Sequence, residues 1–197
     1  MRNAIINKQL NFIKRYNNLD DEKLSIIKYG LESIYILITK LVIILIAAFL
    51  LGLLKQTIIF LLFYNLVRLP SFGLHATKSC ICLISSLLIF IILPYVCTIL
   101  VIPTNYKLIM GIIGLFFMFK NAPADTYKRP IINKKRRLVY KILSCIITVV
   151  MTCISLFIKD QFLASSILIS IILQCFMISP TVYKIFKLPY NNYKQYI

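Results

Sequence analysis

The chain alternates between long apolar blocks and short polar segments. Four blocks reach the length of about 20 residues that a helix needs to cross a bilayer, and they cover residues 34–54, 79–102, 138–158 and 161–183. Two shorter blocks cover residues 56–67 and 108–119. At 1.5 Å per residue, twelve residues span only about 18 Å of a hydrocarbon core of about 30 Å. The shorter blocks must therefore extend into flanking polar residues or end inside the bilayer.

This pattern predicts an all-α, polytopic integral membrane protein with about six transmembrane helices, two of them short, because a helix satisfies its own backbone in lipid. Apolar residues at helical spacing near the start predict an amphipathic N-terminal arm over residues 1–29, lying on the inner leaflet or packed against the bundle. Acidic residues 20–22 are typical of the first turn of a following helix. We expect a single domain over residues 1–197, with the transmembrane bundle at 31–187.

Composition and charge indicate a membrane environment. Of the 197 residues 60% are hydrophobic, which excludes an ordinary soluble domain of this length, and the net charge is +17. With the N-terminus in the cytoplasm, nineteen of the 23 basic residues lie in cytoplasmic segments, and only Lys55, Lys107 and Lys159 lie in exterior loops. We therefore expect both termini, and the segment between the second and third spans, at the cytoplasmic face. Anionic inner-leaflet lipid accounts for the charge, so we expect no nucleic-acid partner.

The chain's single histidine lies just before two thiols. His75 is followed by Cys80 and Cys82, and three donors without a fourth at the usual spacing predict neither a metal site nor another cofactor. Two interpretations remain: an interfacial histidine beside packed thiols, or a thiolate nucleophile with an imidazole base. In a straight helix the seven-residue spacing separates His75 from Cys82 by about 10 Å. Catalysis therefore requires a break in the chain, and Pro70 and Gly73 lie just upstream.

Two separated motifs resemble the accessory gene regulator B (AgrB) family. The first consists of Arg68, Gly73, His75 and Cys82, and the second is "NAPADTYKRPI" at 121–131, which is similar to that family's "APADT…P" loop. Phe72 stands where many members have the first residue of a Gly-Gly pair. The length and the six apolar blocks agree with the family over the whole chain.

The resemblance implies a multi-pass cysteine endopeptidase in the cell membrane of a Gram-positive bacterium, acting in quorum sensing. Its catalytic pair would be His75 and Cys82, at the cytoplasmic side. Its substrate would be an AgrD-like propeptide, which loses its C-terminal tail and is then closed into a thiolactone or lactone ring. The resemblance also implies a homodimer, for which Gly111 and Gly114 in the spans offer weak support because they permit close helix approach.

Further residues have two possible roles each. Arg68 either holds a substrate carboxylate or anchors a helix end, and Asp125 either orients His75 or caps a turn. A basic cluster either attracts the acidic tail of the propeptide or anchors the chain at the inner leaflet. It consists of Lys128, Arg129, Lys134, Lys135, Arg136 and Arg137. The rival classes are a small membrane transporter or export component, which would need paired ionisable groups inside the membrane, and a non-catalytic membrane scaffold.

Overall fold

The computed structural model describes residues 6, 8–10, 12–13, 20–74, 79–125 and 131–193. The protein is all-helical, as the apolar blocks predict. Its helices are α1 (Asp21–Leu50), α2 (Leu54–Ser71), α3 (Ser79–Ile99), α4 (Thr104–Asn121), α5 (Lys134–Phe157), α6 (Gln161–Ile178) and the short α7 (Pro180–Ile185).

The two short apolar blocks form longer helices than their apolar residues alone. Both α2 and α4 have 18 residues and take in flanking polar positions, so that each is about 27 Å long. Among the described residues, four helical segments are long and apolar enough to cross a membrane: Lys23–Leu50, Ile81–Ile99, Lys134–Phe157 and Gln161–Ile178. The expected total of about six spans stays a prediction, since α2 and α4 are not among these four.

The N-terminal part contains one long helix. The predicted helix start at residues 20–22 and the first predicted span belong to the same 30-residue helix, α1, whose first turn is closed by a bond from Leu24 N to Asp20 O at 3.0 Å. The described residues between 6 and 13 are helical, as expected for the arm. The chain divides into two compact units, residues 1–47 and 48–197. The predicted single domain therefore stays a prediction.

Helix α6 forms the centre of the second unit. It packs against α2, α3, α4 and α5, and its buried residues include Ile167, Ile171, Gln174 and Ile178. Because a helix that is covered on most sides cannot turn its polar side chains to water, a buried polar side chain is costly unless it finds a partner inside the protein. This requirement shapes the functional end of the unit, described below.

Two glycines of α4 let it approach its neighbours closely. A Cβ atom on Gly111 would lie 2.2 Å from Thr152 Cγ2 of α5, and one on Gly114 would lie 2.5 Å from Ile171 Cγ2 of α6. Their close contacts are therefore made within the chain. These glycines lend no support to the expected homodimer, which stays a prediction.

Lys107 is not in an exterior loop as the charge count assumed. It lies in the first turn of α4, is only 4% exposed, and its Nζ donates to Ser155 O at 3.2 Å. Ser155 is in the last turn of α5, where backbone carbonyls lack helical partners and carry partial negative charge. The lysine therefore caps the C-terminal end of α5.

We predict that Gly111→Ala destabilises the protein by about 1–3 kcal/mol, because the new methyl group overpacks a filled interface. Rotating the Thr152 side chain gives no relief, since Thr152 Cβ itself would lie 3.0 Å from the added atom. The control is Gly30→Ala, where nothing lies within 4 Å of the added Cβ. Thermal unfolding in detergent measures the difference. Equal unfolding temperatures for the two variants would show that the α4–α5 contact is not tight.

Candidate functional site

The chain breaks between α2 and α3, next to the predicted histidine. Helix α2 ends at Ser71, one residue after Pro70, and α3 begins at Ser79. Phe72 has φ 58° and ψ −131°, and Gly73 has φ 119°. Both φ values lie in the region that favours glycine, so Phe72 adopts a glycine-like backbone. His75 itself lies outside the described residues.

The segment 72–74 is held by backbone hydrogen bonds from two directions. Gly73 N donates to Ala124 O and Ala124 N donates to Ser71 O, both at 3.0 Å, which forms a short parallel bridge to the "APADT" loop. Leu74 N donates to Met177 O of α6 at 3.1 Å. The two sequence motifs therefore meet. A Cβ atom at Gly73 would lie 3.2 Å from Met177 O, in addition to the backbone strain, so glycine is required there.

Arg68 supports the same segment from the side of α2. Its Nη2 donates to Leu74 O at 3.1 Å, and its Nη1 donates to the Tyr64 hydroxyl. The guanidinium carbon also lies 5.5 Å from the centre of the Tyr64 ring. These contacts fit the anchoring role considered for Arg68, since they connect the last turns of α2 to the residue before His75. A role in holding a substrate carboxylate stays a prediction.

Gln174 is a site residue that sequence analysis missed. Its side chain is fully buried in α6, and its Nε2 donates to Ser71 Oγ at 2.7 Å and to Phe72 O at 2.6 Å. Ser71 Oγ in turn donates to Val67 O at 2.7 Å. A signal was available: a glutamine inside an apolar span is costly unless it has a partner. The identity of that partner, 103 residues away, had no local signature.

Cys82 lies in the first turn of α3 and is half-buried. Its carbonyl accepts a hydrogen bond from Ser85 Oγ at 3.2 Å. The first four N–H groups of a helix have no partner within the helix and carry partial positive charge.

Asp125 is buried, at 3% exposure, and fastens the C-terminal segment. Its Oδ1 accepts from Asn192 N at 3.0 Å and its Oδ2 from Tyr193 N at 2.8 Å. Its backbone carbonyl accepts from the Tyr183 hydroxyl at 3.3 Å. Burial, followed by the charge of Asp125, raises the pKa of Tyr183, which keeps that hydroxyl protonated as a donor. Both carboxylate oxygens thus have backbone partners, which favours a structural role over orienting His75.

The basic cluster is divided by the structure. Lys134, Lys135 and Arg136 are exposed in the first turn of α5, which Asn133 caps by accepting from Lys135 N at 2.9 Å. Arg137 differs from them: its guanidinium carbon lies 3.1 Å from the centre of the Tyr193 ring. It therefore covers the segment that Asp125 fastens. Lys128 and Arg129 lie outside the described residues.

Comparison with known proteins agrees with the motifs. A sequence model of the family "Accessory gene regulator B" matches residues 6–178. An AgrB-like protein of Listeria monocytogenes is 38% identical over 179 residues, covering 90% of this chain and 87% of that protein. An AgrB-like protein of Clostridium acetobutylicum is 30% identical, covering 93% of this chain and 88% of its own length. Accessory gene regulator protein B of Staphylococcus epidermidis is 33% identical, covering 86% of each chain.

No solved structure matches this chain. The match to the family nevertheless extends over most of the sequence and includes both motifs that meet at the break between α2 and α3. The chain therefore belongs to the accessory gene regulator B family.

Proposed function

We propose that this protein is a membrane cysteine endopeptidase that removes the C-terminal tail of an AgrD-like propeptide and promotes its cyclisation to a quorum-sensing signal. His75 and Cys82 form the catalytic pair, and the site faces the cytoplasm. Membership of the accessory gene regulator B family supports this proposal, as does the membrane character of four helices.

The observation that carries the proposal is the break between α2 and α3. A straight helix would hold His75 and Cys82 about 10 Å apart, too far for proton transfer. Instead, the chain leaves α2 at Ser71, and the residue before His75 is fixed by Met177 and Arg68. Cys82 follows in the first turn of the next helix. We propose that residues 75–78 place the imidazole of His75 beside the thiol of Cys82.

The chemistry follows from these two side chains. His75 accepts the proton of the Cys82 thiol, and the thiolate attacks the scissile carbonyl. The imidazolium then protonates the departing amine as the C–N bond breaks, which leaves a thioester on Cys82. An internal thiol or hydroxyl of the peptide attacks the thioester, closes the ring and releases Cys82. Water must be kept away at that stage, and a site at the membrane boundary favours this. Backbone N–H groups in the first turn of α3 are suited to stabilise the oxyanion.

The exposed cations of α5 fit an acidic substrate tail. Lys134, Lys135 and Arg136 lie at the positive end of the helix dipole, where cations are unfavourable unless an anion is near. An acidic peptide tail and anionic lipid headgroups both supply that anion. Arg137 does not belong to this surface, because it stacks on Tyr193. A variant that neutralises all four positions would therefore disturb the C-terminal segment as well.

We predict that Cys82→Ala abolishes propeptide cleavage and that His75→Ala lowers it by at least about 100-fold, because the nucleophile or its base is lost. Cys80→Ala is the matched control and should retain most activity. Cleavage is measured in vesicles with purified protein and an AgrD-like propeptide, with folded protein quantified. Retained cleavage in Cys82→Ala would contradict the proposal. A transporter or scaffold would tolerate both losses.

We also predict that Asp125 acts through the C-terminal segment. Asp125→Ala should destabilise the full chain by about 2–4 kcal/mol, because two backbone donors lose a charged acceptor. In a chain that ends at Asn191 the same substitution should cost much less, since both donors are then absent. Asp160→Ala is the control: it removes a cap that accepts only from Leu163 N and should cost about 1 kcal/mol in either chain. Equal costs for Asp125→Ala in both chains would refute this role.

A further inference from the structure

The amide nitrogen of Gln174 is fully used at the end of α2, whereas its Oε1 has no hydrogen-bond partner within the described residues. Its two N–H bonds point to Ser71 Oγ and Phe72 O, at 2.7 and 2.6 Å. Ser71 Oγ can accept one of them because its own proton goes to Val67 O. The donors Gln174 Nε2 and Ser71 Oγ therefore all have acceptors. The side chain is 0% exposed, so no water competes for these bonds.

The bonds hold a backbone segment that no helix stabilises. Segment 72–74 is outside any helix, and Phe72 has a positive φ, which costs a non-glycine residue energy unless its surroundings hold it there. Two groups from one turn of α6 do so: Gln174 Nε2 on Phe72 O, and Met177 O on Leu74 N at 3.1 Å. Removing the amide would leave the part-buried Phe72 carbonyl without this donor, which is unfavourable for a buried acceptor.

We infer that Gln174 is a positioning residue for the Cys82–His75 pair. It holds Ser71 and Phe72, and His75 follows three residues after Phe72, so its bonds constrain the backbone that leads to His75. Gln174 does not touch the substrate; it acts through the backbone. This inference rests on the proposed function.

The same helix offers a matched control. Ser170 lies one turn before Gln174, is also 0% exposed, and its Oγ has no hydrogen-bond partner within the described residues. Ser170→Ala therefore changes a buried polar group of α6 without changing the bonds to segment 71–74. Gln174→Met keeps the length and volume of the side chain and removes the amide. Gln174→Asn keeps an amide that is one methylene too short to reach Phe72 O.

The test is the pH dependence of Cys82 alkylation by iodoacetamide. The full-length protein is placed in vesicles and carries Cys80→Ala, and the extent of alkylation is measured by peptide mass spectrometry. A thiol paired with an imidazole is alkylated at lower pH than an ordinary thiol, whose pKa is about 8.5. At pH 7, His75→Ala should slow alkylation about tenfold. Gln174→Met and Gln174→Asn should slow it in the same direction, and neither should slow it further when His75→Ala is already present. Ser170→Ala should leave it unchanged.

The outcomes distinguish the proposed function from the inference about Gln174. If His75→Ala leaves the alkylation profile unchanged, the proposed function fails together with the inference. If His75→Ala shifts the profile but the folded Gln174 variants keep the parent profile, the inference alone is overturned. Should Gln174→Met not fold, Gln174→Asn gives the same decision. Kinetics supply a second readout: the Gln174 variants should lower kcat for propeptide cleavage several-fold with KM nearly unchanged.

Discussion

Inside a bilayer a polar side chain of a buried helix is costly unless it has a partner within the protein, and among the four candidate spans α6 is the most buried. Its buried face includes Gln174, whose amide nitrogen donates to Ser71 Oγ and to Phe72 O at the end of α2. That pairing requires α2 to stop at Ser71 and the chain to run along α6 as a non-helical segment. The "APADT" loop then pairs with the same segment through Ala124. One buried amide thus connects α2, α6 and the loop after α4.

The apolar pattern predicted most of the fold because helix position depends on local hydrophobicity. Helices α3, α5 and α6 begin close to the predicted blocks. The last block was expected to continue to residue 183, but α6 ends at Ile178 and Pro180 starts α7, since proline cannot continue the hydrogen-bond ladder of a helix. The charge count placed Lys107 in an exterior loop. Charge alone gives no information on its partner Ser155, which lies 48 residues away.

The site was predictable to the extent that its residues belong to motifs. Arg68, Gly73 and Asp125 were selected from sequence. In the structure Arg68 donates to Leu74 O, Gly73 lies against the turn of α6 near Met177, and Asp125 accepts from the C-terminal backbone. The fastening of residues 192–193 by Asp125, and the use of Gln174, depend on contacts across 67 to 103 residues. A single sequence contains no local signal for such pairings.

The proposed function requires position 75 to lie close to Cys82 in space. The most direct measurement is disulfide formation between Cys82 and a cysteine introduced by His75→Cys, in a Cys80→Ala background and with Cys82→Ala as the control. A disulfide needs Cα atoms about 4.4–6.8 Å apart, whereas a straight helix would separate them by about 10 Å. The proposed function predicts an intramolecular disulfide under mild oxidation, seen as the linked peptide by mass spectrometry. Two thiols that are alkylated separately under strong oxidation would contradict it.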